Sequence, residues 1–311
     1  MKLINKNKRL VACVGLLALL CGCCQCSGQP APVLNTDLQQ TELVPQMAEE
    51  ATENFEEKDF LIDPEGTTIA TRFINKNPNY ERRTPDDFGQ WLLDLKLFPD
   101  GHVTKYFDGS DKYQDRIWVG VVDMDLVGYF NRNGKEYAAD LQQCADACMR
   151  LRAEYLWQTK QYGKIHFKSS AGEVFRYTEW VAKHGNDYSY ITFRKYLSKV
   201  FAFCGTHSLS LELKKVKITD VRPGDLLILG GSPGHAVMVM DVLHEKNGEG
   251  LKLMFSQSYM PAQQIEILCN RYDNDSPWKL LEHPLEEVII PTPQWDFDLS
   301  RKSCFMRWTD D

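Results

Sequence analysis

PGDLLILGGSPGHAVMVMDV, from Pro223 to Val242, holds two apolar runs separated by a Gly-Gly-Ser-Pro-Gly segment. Apolar runs this short, bounded by Gly and Pro, read as strands joined by a turn. The pattern predicts a strand from Leu226 to Leu229 and another from His235 to Leu243. An Asn247-Gly248 hairpin then leads into a third, from Leu251 to Tyr259, completing an antiparallel meander. By alternation Val237, Val239 and Leu243 share the parity of His235, while Ala236, Met238, Met240 and Val242 face the other way. A strand apolar on both faces belongs inside, and His235 stands at its start.

Working outward, QQCADACMRLRAEYLW, from Gln142 to Trp157, has the three- and four-residue apolar steps of a helix in Leu141, Cys144, Cys148, Leu151 and Tyr155. Asp140 with Gln143 three residues later suits a capping box, which puts Cys144 in the first or second turn, on the buried face. Core cysteines and nucleophiles are both found there. On the third strand, Leu253 and Phe255 send Gln257 inward with Tyr259, and Ser256 and Ser258 fall on the other face with Lys252. An inward amide without a hydrogen-bond partner costs roughly 1 to 3 kcal/mol. The ring of His235 is the expected partner.

Thiol attack on an acyl carbon needs a cysteine beside a histidine, with a polar group to orient the imidazole. Cys144, His235 and Gln257 are the candidates for nucleophile, base and orienter. Backbone amides near Cys144, with the side chain of Gln142 or Gln143, are the oxyanion candidates, although each glutamine also reads as a solvated first-turn residue. His235 also reads as a turn histidine beside Pro233, and Arg150, Arg152 and Glu154 as a solvated face or a structural salt bridge. Asp241 lies about 20 Å along the strand from His235 and is too far to orient it. A soft-metal site of Cys144, Cys148 and His235 lacks a fourth ligand at recognisable spacing, so no metal and no other cofactor is expected.

A helical cysteine, then PGDLLIL, then GHAVMVMDV, then a strand with an inward polar residue resembles the NlpC-type and CHAP-type cell-wall hydrolases of the papain-like superfamily. The resemblance implies an α+β fold with a papain-like core, a helix packed on an antiparallel sheet, and the roles above for Cys144, His235 and Gln257. The NlpC pattern usually has Asp-Cys-Ser at the nucleophile, where this chain has Gln143-Cys144-Ala145, a departure that bears on substrate class. QQCADACMRLRAEYLW, GGSPGHAVMVMDV and SQSYMPAQ together are more closely similar to the bacterial family called domain of unknown function 4846, over about Thr67 to Trp278. That family name implies no activity.

The 311 residues, 43% hydrophobic and 25% charged, suffice for one substantial core. A net charge of -7 and a pI near 5.6, without a basic stripe, argue against nucleic-acid binding. In MKLINKNKRLVACVGLLALLCGC a basic start precedes an apolar run too short for a comfortable span, which reads as an export signal. Leu20-Cys21-Gly22-Cys23 resembles a bacterial lipobox, with Cys23 as the lipidated residue of an exported, membrane-anchored lipoprotein of the cell envelope. A plain secretory signal or a short uncleaved anchor is the alternative.

The expected layout is a signal over 1–22, a flexible tether over 23–63, and one α+β domain over 64–296 with its papain-like core at about 137–268. A C-terminal tail over 297–311 completes it. The stretch 162–213, aromatic-rich around Trp180, Tyr190 and Phe201, reads as mixed helix and loop forming a substrate wall. Past the tether Cys144, Cys148, Cys204, Cys269 and Cys304 are odd in number, so at least one is unpaired within the chain.

Two functions fit. One is a lipid-anchored envelope thiol hydrolase that cleaves amide or peptide bonds, with peptidoglycan stem peptides as a candidate substrate. The other is a catalytically silent lipoprotein using the same scaffold as a binding module. Oligomeric state is open in both. If Cys23 carries the acyl chains, Cys23→Ala moves the protein from the membrane to the soluble fraction on cell fractionation; unchanged partitioning refutes the anchor.

Overall fold

The meander forms the middle of a larger sheet. The structure is a computed structural model describing residues 58–112, 116–273 and 275–309. The expected signal, the lipidation site Cys23 and the tether up to residue 57 lie outside the described residues.

In chain order the strands of the central sheet and of the hairpin beside it begin with β1 (Tyr80–Arg82), β2 (Trp118–Val121), β3 (Lys214–Val216), β4 (Leu226–Leu229), β5 (His235–Glu245) and β6 (Leu251–Gln257). They continue with β7 (Glu266–Leu268), β8 (Lys279–Leu281), β9 (Ile289–Pro291), β10 (Asp296–Asp298) and β11 (Cys304–Arg307). The central sheet has the order β2-β7-β6-β5-β4-β11-β3, with β8 also paired to β6 and β1 to β5, while β9 and β10 form a separate hairpin. The helices longer than a single turn are α1 (Asp87–Leu93), α2 (Cys144–Gln158), α3 (Tyr177–Lys183), α4 (Tyr190–Phe201) and α5 (Thr206–Glu212). Pairing in the sheet is antiparallel throughout, and the fold is α+β.

Both faces of β5 are covered. Ala236, Met238 and Met240 join Leu226, Ile228 and Met254 in the core that includes Cys148, Met149 and Leu151 of α2. Val237 and Val239 join Leu227, Leu253 and Phe255 in a second core closed by Ile290, Phe297 and Phe305. Past Val239 the simple alternation fails. The register runs from Val239 opposite Phe255 to Asp241 opposite Met254, leaving Met240 as an extra residue. Val242 therefore sits with Val237 and Val239, and Leu243 with Met238, the reverse of the expected parity. Asp241 is buried against Arg82, whose Nε donates to both carboxylate oxygens at 3.0 and 3.1 Å.

Two expected boundaries are corrected. The stretch over 297–311 is no tail: β11 lies between β4 and β3, with Phe305 and Met306 buried. It is clamped by Asp225, which accepts from Arg307 Nε at 2.7 Å and Arg307 Nη2 at 2.8 Å. The preceding Gly224 has φ +94, and a Cβ there would lie 2.7 Å from the Phe88 ring, so the PGD turn needs its glycine. At the other end Phe60–Ile62 already pairs with Phe73–Asn75, so ordered backbone begins inside the expected tether. The described residues belong to one compact unit.

Helix α2 is buried on nearly every side, from Ala145 to Leu156. Arg150 and Glu154 are therefore no solvated face. Their side chains are almost fully buried and paired at 3.3 Å, while the Arg152 guanidinium lies 5.0 Å from the Phe88 ring centre. If β11 is a core strand, Phe305→Ala costs about 3 to 5 kcal/mol in chemical denaturation, whereas Leu285→Ala at an exposed position stays within about 0.5 kcal/mol. Equal midpoints for the two variants contradict this placement.

Candidate functional site

Cys144 is the first residue of α2, one position after its N-cap Gln143. The cap differs from the expected one, because Asp146 Oδ2 accepts from the Gln143 amide at 3.0 Å. Asp140 instead accepts from the Ala262 amide at 2.6 Å and from Gln143 Nε2 at 3.1 Å, tying the helix start to the loop after β6. The buried Ser258 hydroxyl lies 2.6 Å from the Gln142 carbonyl and 2.9 Å from that of Gln263, a second tie between the same segments.

His235 enters from the opposite direction. A Cβ on Gly234 would lie 2.4 Å from the Gly231 carbonyl and 2.5 Å from Thr206 Oγ1, so only glycine lets this loop close against α5. Thr206 Oγ1 donates to the Gly231 carbonyl at 3.1 Å. The His235 ring is then packed among Tyr259, Trp295 and Phe297, with centroids at 5.2, 5.3 and 5.8 Å. Its Nε2 donates to Gln257 Oε1 at 3.1 Å, which leaves Nδ1 as the nitrogen with a free lone pair. Gln257 Nε2 in turn donates to Gln294 Oε1 at 2.6 Å.

Cys144 and His235 line one cavity of about 490 Å³, with Thr206, Tyr259, Met260 and Trp295. Gln143 and Asp146 also reach it. Gln142 does not belong to the site. It is 1% exposed, and its Oε1 accepts from the Val127 amide at 3.1 Å and from Arg150 Nη1 at 2.5 Å. Its amide is bound into the structure behind the helix, so the oxyanion role suggested for it is withdrawn. Gln143 faces the cavity, with its Nε2 held by Asp140.

Burial pushes the Cys144 thiol up to about 11, opposed by the amide of Ala236 and raised further by the carboxyl of Asp146; the amides of Ala145 and Cys144 itself lower it. Burial likewise pushes His235 down to about 4, against the hydrogen bond to Gln257. At neutral pH the resting site thus holds a neutral thiol and a neutral imidazole. Burial also raises the Asp146 carboxyl well above the usual carboxylate range, against the hydrogen bond from the Gln143 amide. A neutral imidazole with one lone pair directed away from its amide partner can take a proton from a thiol as an acyl carbon is attacked.

All five described cysteines are free thiols, and Cys148 donates to the Cys144 carbonyl at 3.4 Å as a buried helix residue. Among the described residues no group of three His, Cys, Asp or Glu side chains stands together as a metal site. No helix among them is long and apolar enough to cross a membrane. Gln294, Trp295 and Ser258 were not anticipated. PTPQWDFD carries no apolar period of its own, and Ser258 falls on the face opposite Gln257, with Lys252. Phe201, in the aromatic-rich middle segment, does reach the cavity wall.

A family model described as domain of unknown function (4846) matches residues 69–303. The chain belongs to this family. The family match reaches beyond the similarity traced in the sequence motifs and takes in the β9–β10 hairpin with Gln294 and Trp295. No match is found among curated proteins or among solved structures.

Because folding depresses the His235 pKa, the native state binds fewer protons there than the unfolded chain between about pH 6.5 and 4. The associated stability is present above about 6.5 and lost as pH falls through about 4. Over that window the wild-type chain should lose about 3 kcal/mol more than His235→Phe in denaturant melts. Parallel losses in the two proteins contradict the burial argument.

Proposed function

We propose that the protein is a thiol hydrolase with a papain-like core, held to the cell envelope by a lipid on Cys23, that cleaves an amide or peptide bond through an acyl-enzyme on Cys144. The reading rests on one observation above the others. A cysteine at the start of a helix and an imidazole oriented by an inward amide line the same cavity. The export signal and lipobox in the sequence support the envelope location, and peptidoglycan stem peptides are substrates of the right chemistry for that place.

In the proposed step Nδ1 of His235 takes the thiol proton as the Cys144 sulfur bonds to the carbonyl carbon and the carbonyl electron pair moves to oxygen. The first-turn amides of α2, unpaired within the helix, are the oxyanion donors of this reading, and the Gln143 side chain joins them only if its Nε2 leaves Asp140. Collapse breaks the carbon–nitrogen bond, and the imidazolium gives its proton to the leaving amine. Water, deprotonated by the same nitrogen, then cleaves the thioester. Gln257 keeps the imidazole in the tautomer that accepts at Nδ1. No cofactor enters.

One observation favours a second reading, a silent binding module on the same scaffold. A thiol pushed up to about 11 by burial is a poor nucleophile until a base removes its proton. Alkylation at mildly acidic pH is slow under both readings, so trapping is the better discriminator. With peptidoglycan stem peptides, or with a panel of activated amides and esters, the wild-type protein should form an adduct on Cys144, seen by intact mass, and release the leaving group. Cys144→Ala should do neither, and His235→Ala should lower the rate by roughly 10²-fold or more. Absence of adduct and turnover across both sets of substrates leaves the binding module as the function.

A further inference from the structure

The β9–β10 hairpin contributes more than cover. Its turn is held by the Thr292 amide donating to the Trp295 carbonyl at 2.7 Å, with the Thr292 hydroxyl on the same carbonyl at 2.9 Å. This places Trp295 against the His235 ring and into the cavity. It also places Gln294 Oε1 at 2.6 Å from Gln257 Nε2, the shorter bond of the Gln294–Gln257–His235 chain.

A primary amide presents a carbonyl at one side and two N–H donors at the other, and reversing it exchanges their places. Gln257 is buried, so both ends of its amide are committed to the partners around it. With its carbonyl toward His235, the ring must donate from Nε2 and Nδ1 carries the lone pair. If the amide is reversed, its NH₂ faces the ring, Nε2 must accept, and the proton moves to Nδ1. The second tautomer has no lone pair on Nδ1. The hydrogen bond from Gln257 to His235 is satisfied in either case, so that pair by itself does not select between them.

We propose that Gln294, whose carbonyl is turned toward Gln257 Nε2 in the structure, makes the selection: held in that orientation it turns the Gln257 carbonyl toward His235 and thereby holds the imidazole in its Nε2–H form. Gln294 is a positioning residue acting through two others, on a hairpin remote in sequence from the helix that carries the thiol. This inference deepens the hydrolase reading, but the tautomer itself can be observed whether or not the protein turns over a substrate. Burial keeps the ring neutral near pH 7, so a single tautomer is well defined there.

The test uses the folded chain with ¹⁵N-labelled histidine. Ring nitrogen shifts near neutral pH are recorded for wild type, Gln294→Glu, which only accepts, Gln294→Met, which does neither, and Gln294→Lys, which only donates. Wild type and Gln294→Glu should show His235 protonated on Nε2. Gln294→Met should show a mixture, and Gln294→Lys a predominant Nδ1–H form. The alkylation rate of Cys144 near neutral pH should fall at least tenfold in Gln294→Lys and return in Gln294→Glu.

An Nε2–H ring in all four proteins overturns the inference. If Gln294→Lys does not fold, a tautomer unchanged between Gln294→Met and Gln294→Glu overturns it equally. Tautomers that follow residue 294 in a protein that never acylates Cys144 uphold the inference and refute the hydrolase reading. Tautomers that ignore residue 294 in a protein that does acylate refute the inference alone.

Discussion

Strand β5 is apolar on both faces, and the rest of the fold follows from the need to cover it twice. A sheet with one wet face would leave either Val237 and Val239 or Met238 and Met240 in water. Helix α2 covers the methionine side, while the β9–β10 hairpin and Phe305 of β11 cover the valine side. His235 stands where β5 begins, at the end of these two layers, so groups from both converge on it. The helix brings a cysteine at its first residue, and the hairpin brings a glutamine and a tryptophan. The cavity is thus the seam between two coverings of one strand.

Burial on this scale governs the electrostatics of the seam. It drives the thiol up and the imidazole down, and it drives the Asp146 carboxyl up as well. Such a site has no standing thiolate. In the proposed reaction the nucleophile is made during the attack, by transfer of the thiol proton to an imidazole already oriented by hydrogen bonds. In that reaction orientation matters more than charge, and it is supplied by the amides of Gln257 and Gln294 rather than by a salt bridge. The ion pairs of the molecule serve its framework: Arg307 with Asp225 fastens the last strand, Arg82 with Asp241 fastens β1 to β5, and Arg150 with Glu154 lies inside the helical layer.

The amphipathic and alternating patterns were legible in the chain because they are local. Strands β4, β5 and β6, the helix opening near Cys144, and the inward direction of Gln257 all follow from periods of two and of 3.6 residues. Those patterns also placed Cys144, His235 and Gln257 as one candidate group. What they missed has a common cause. The extra residue at Met240 leaves no mark in an unbroken apolar run, so Val242 and Leu243 exchanged faces. The capping partner of Gln143 was misread because Asp140 and Asp146 are both spaced three residues from it, and only the path of the loop after β6 separates them.

By itself the sequence determined the antiparallel meander, the helix opening near Cys144 and the chemistry available at the starts of α2 and β5, since each rests on neighbours a few residues apart. The tertiary structure alone decided that Gln142 is sequestered behind the helix and that residues 304–307 are a strand of the central sheet. It also decided that Gln294 and Trp295 stand over His235. The last two depend on pairing across a long separation, 82 residues from Arg307 to Asp225 and 37 from Gln294 to Gln257, and the bonds of Gln142 reach 15 and 8 residues along the chain. Short polar segments such as PTPQW carry no periodicity that names a distant partner. Only burial of the sheet's second face brings them into contact with what they orient.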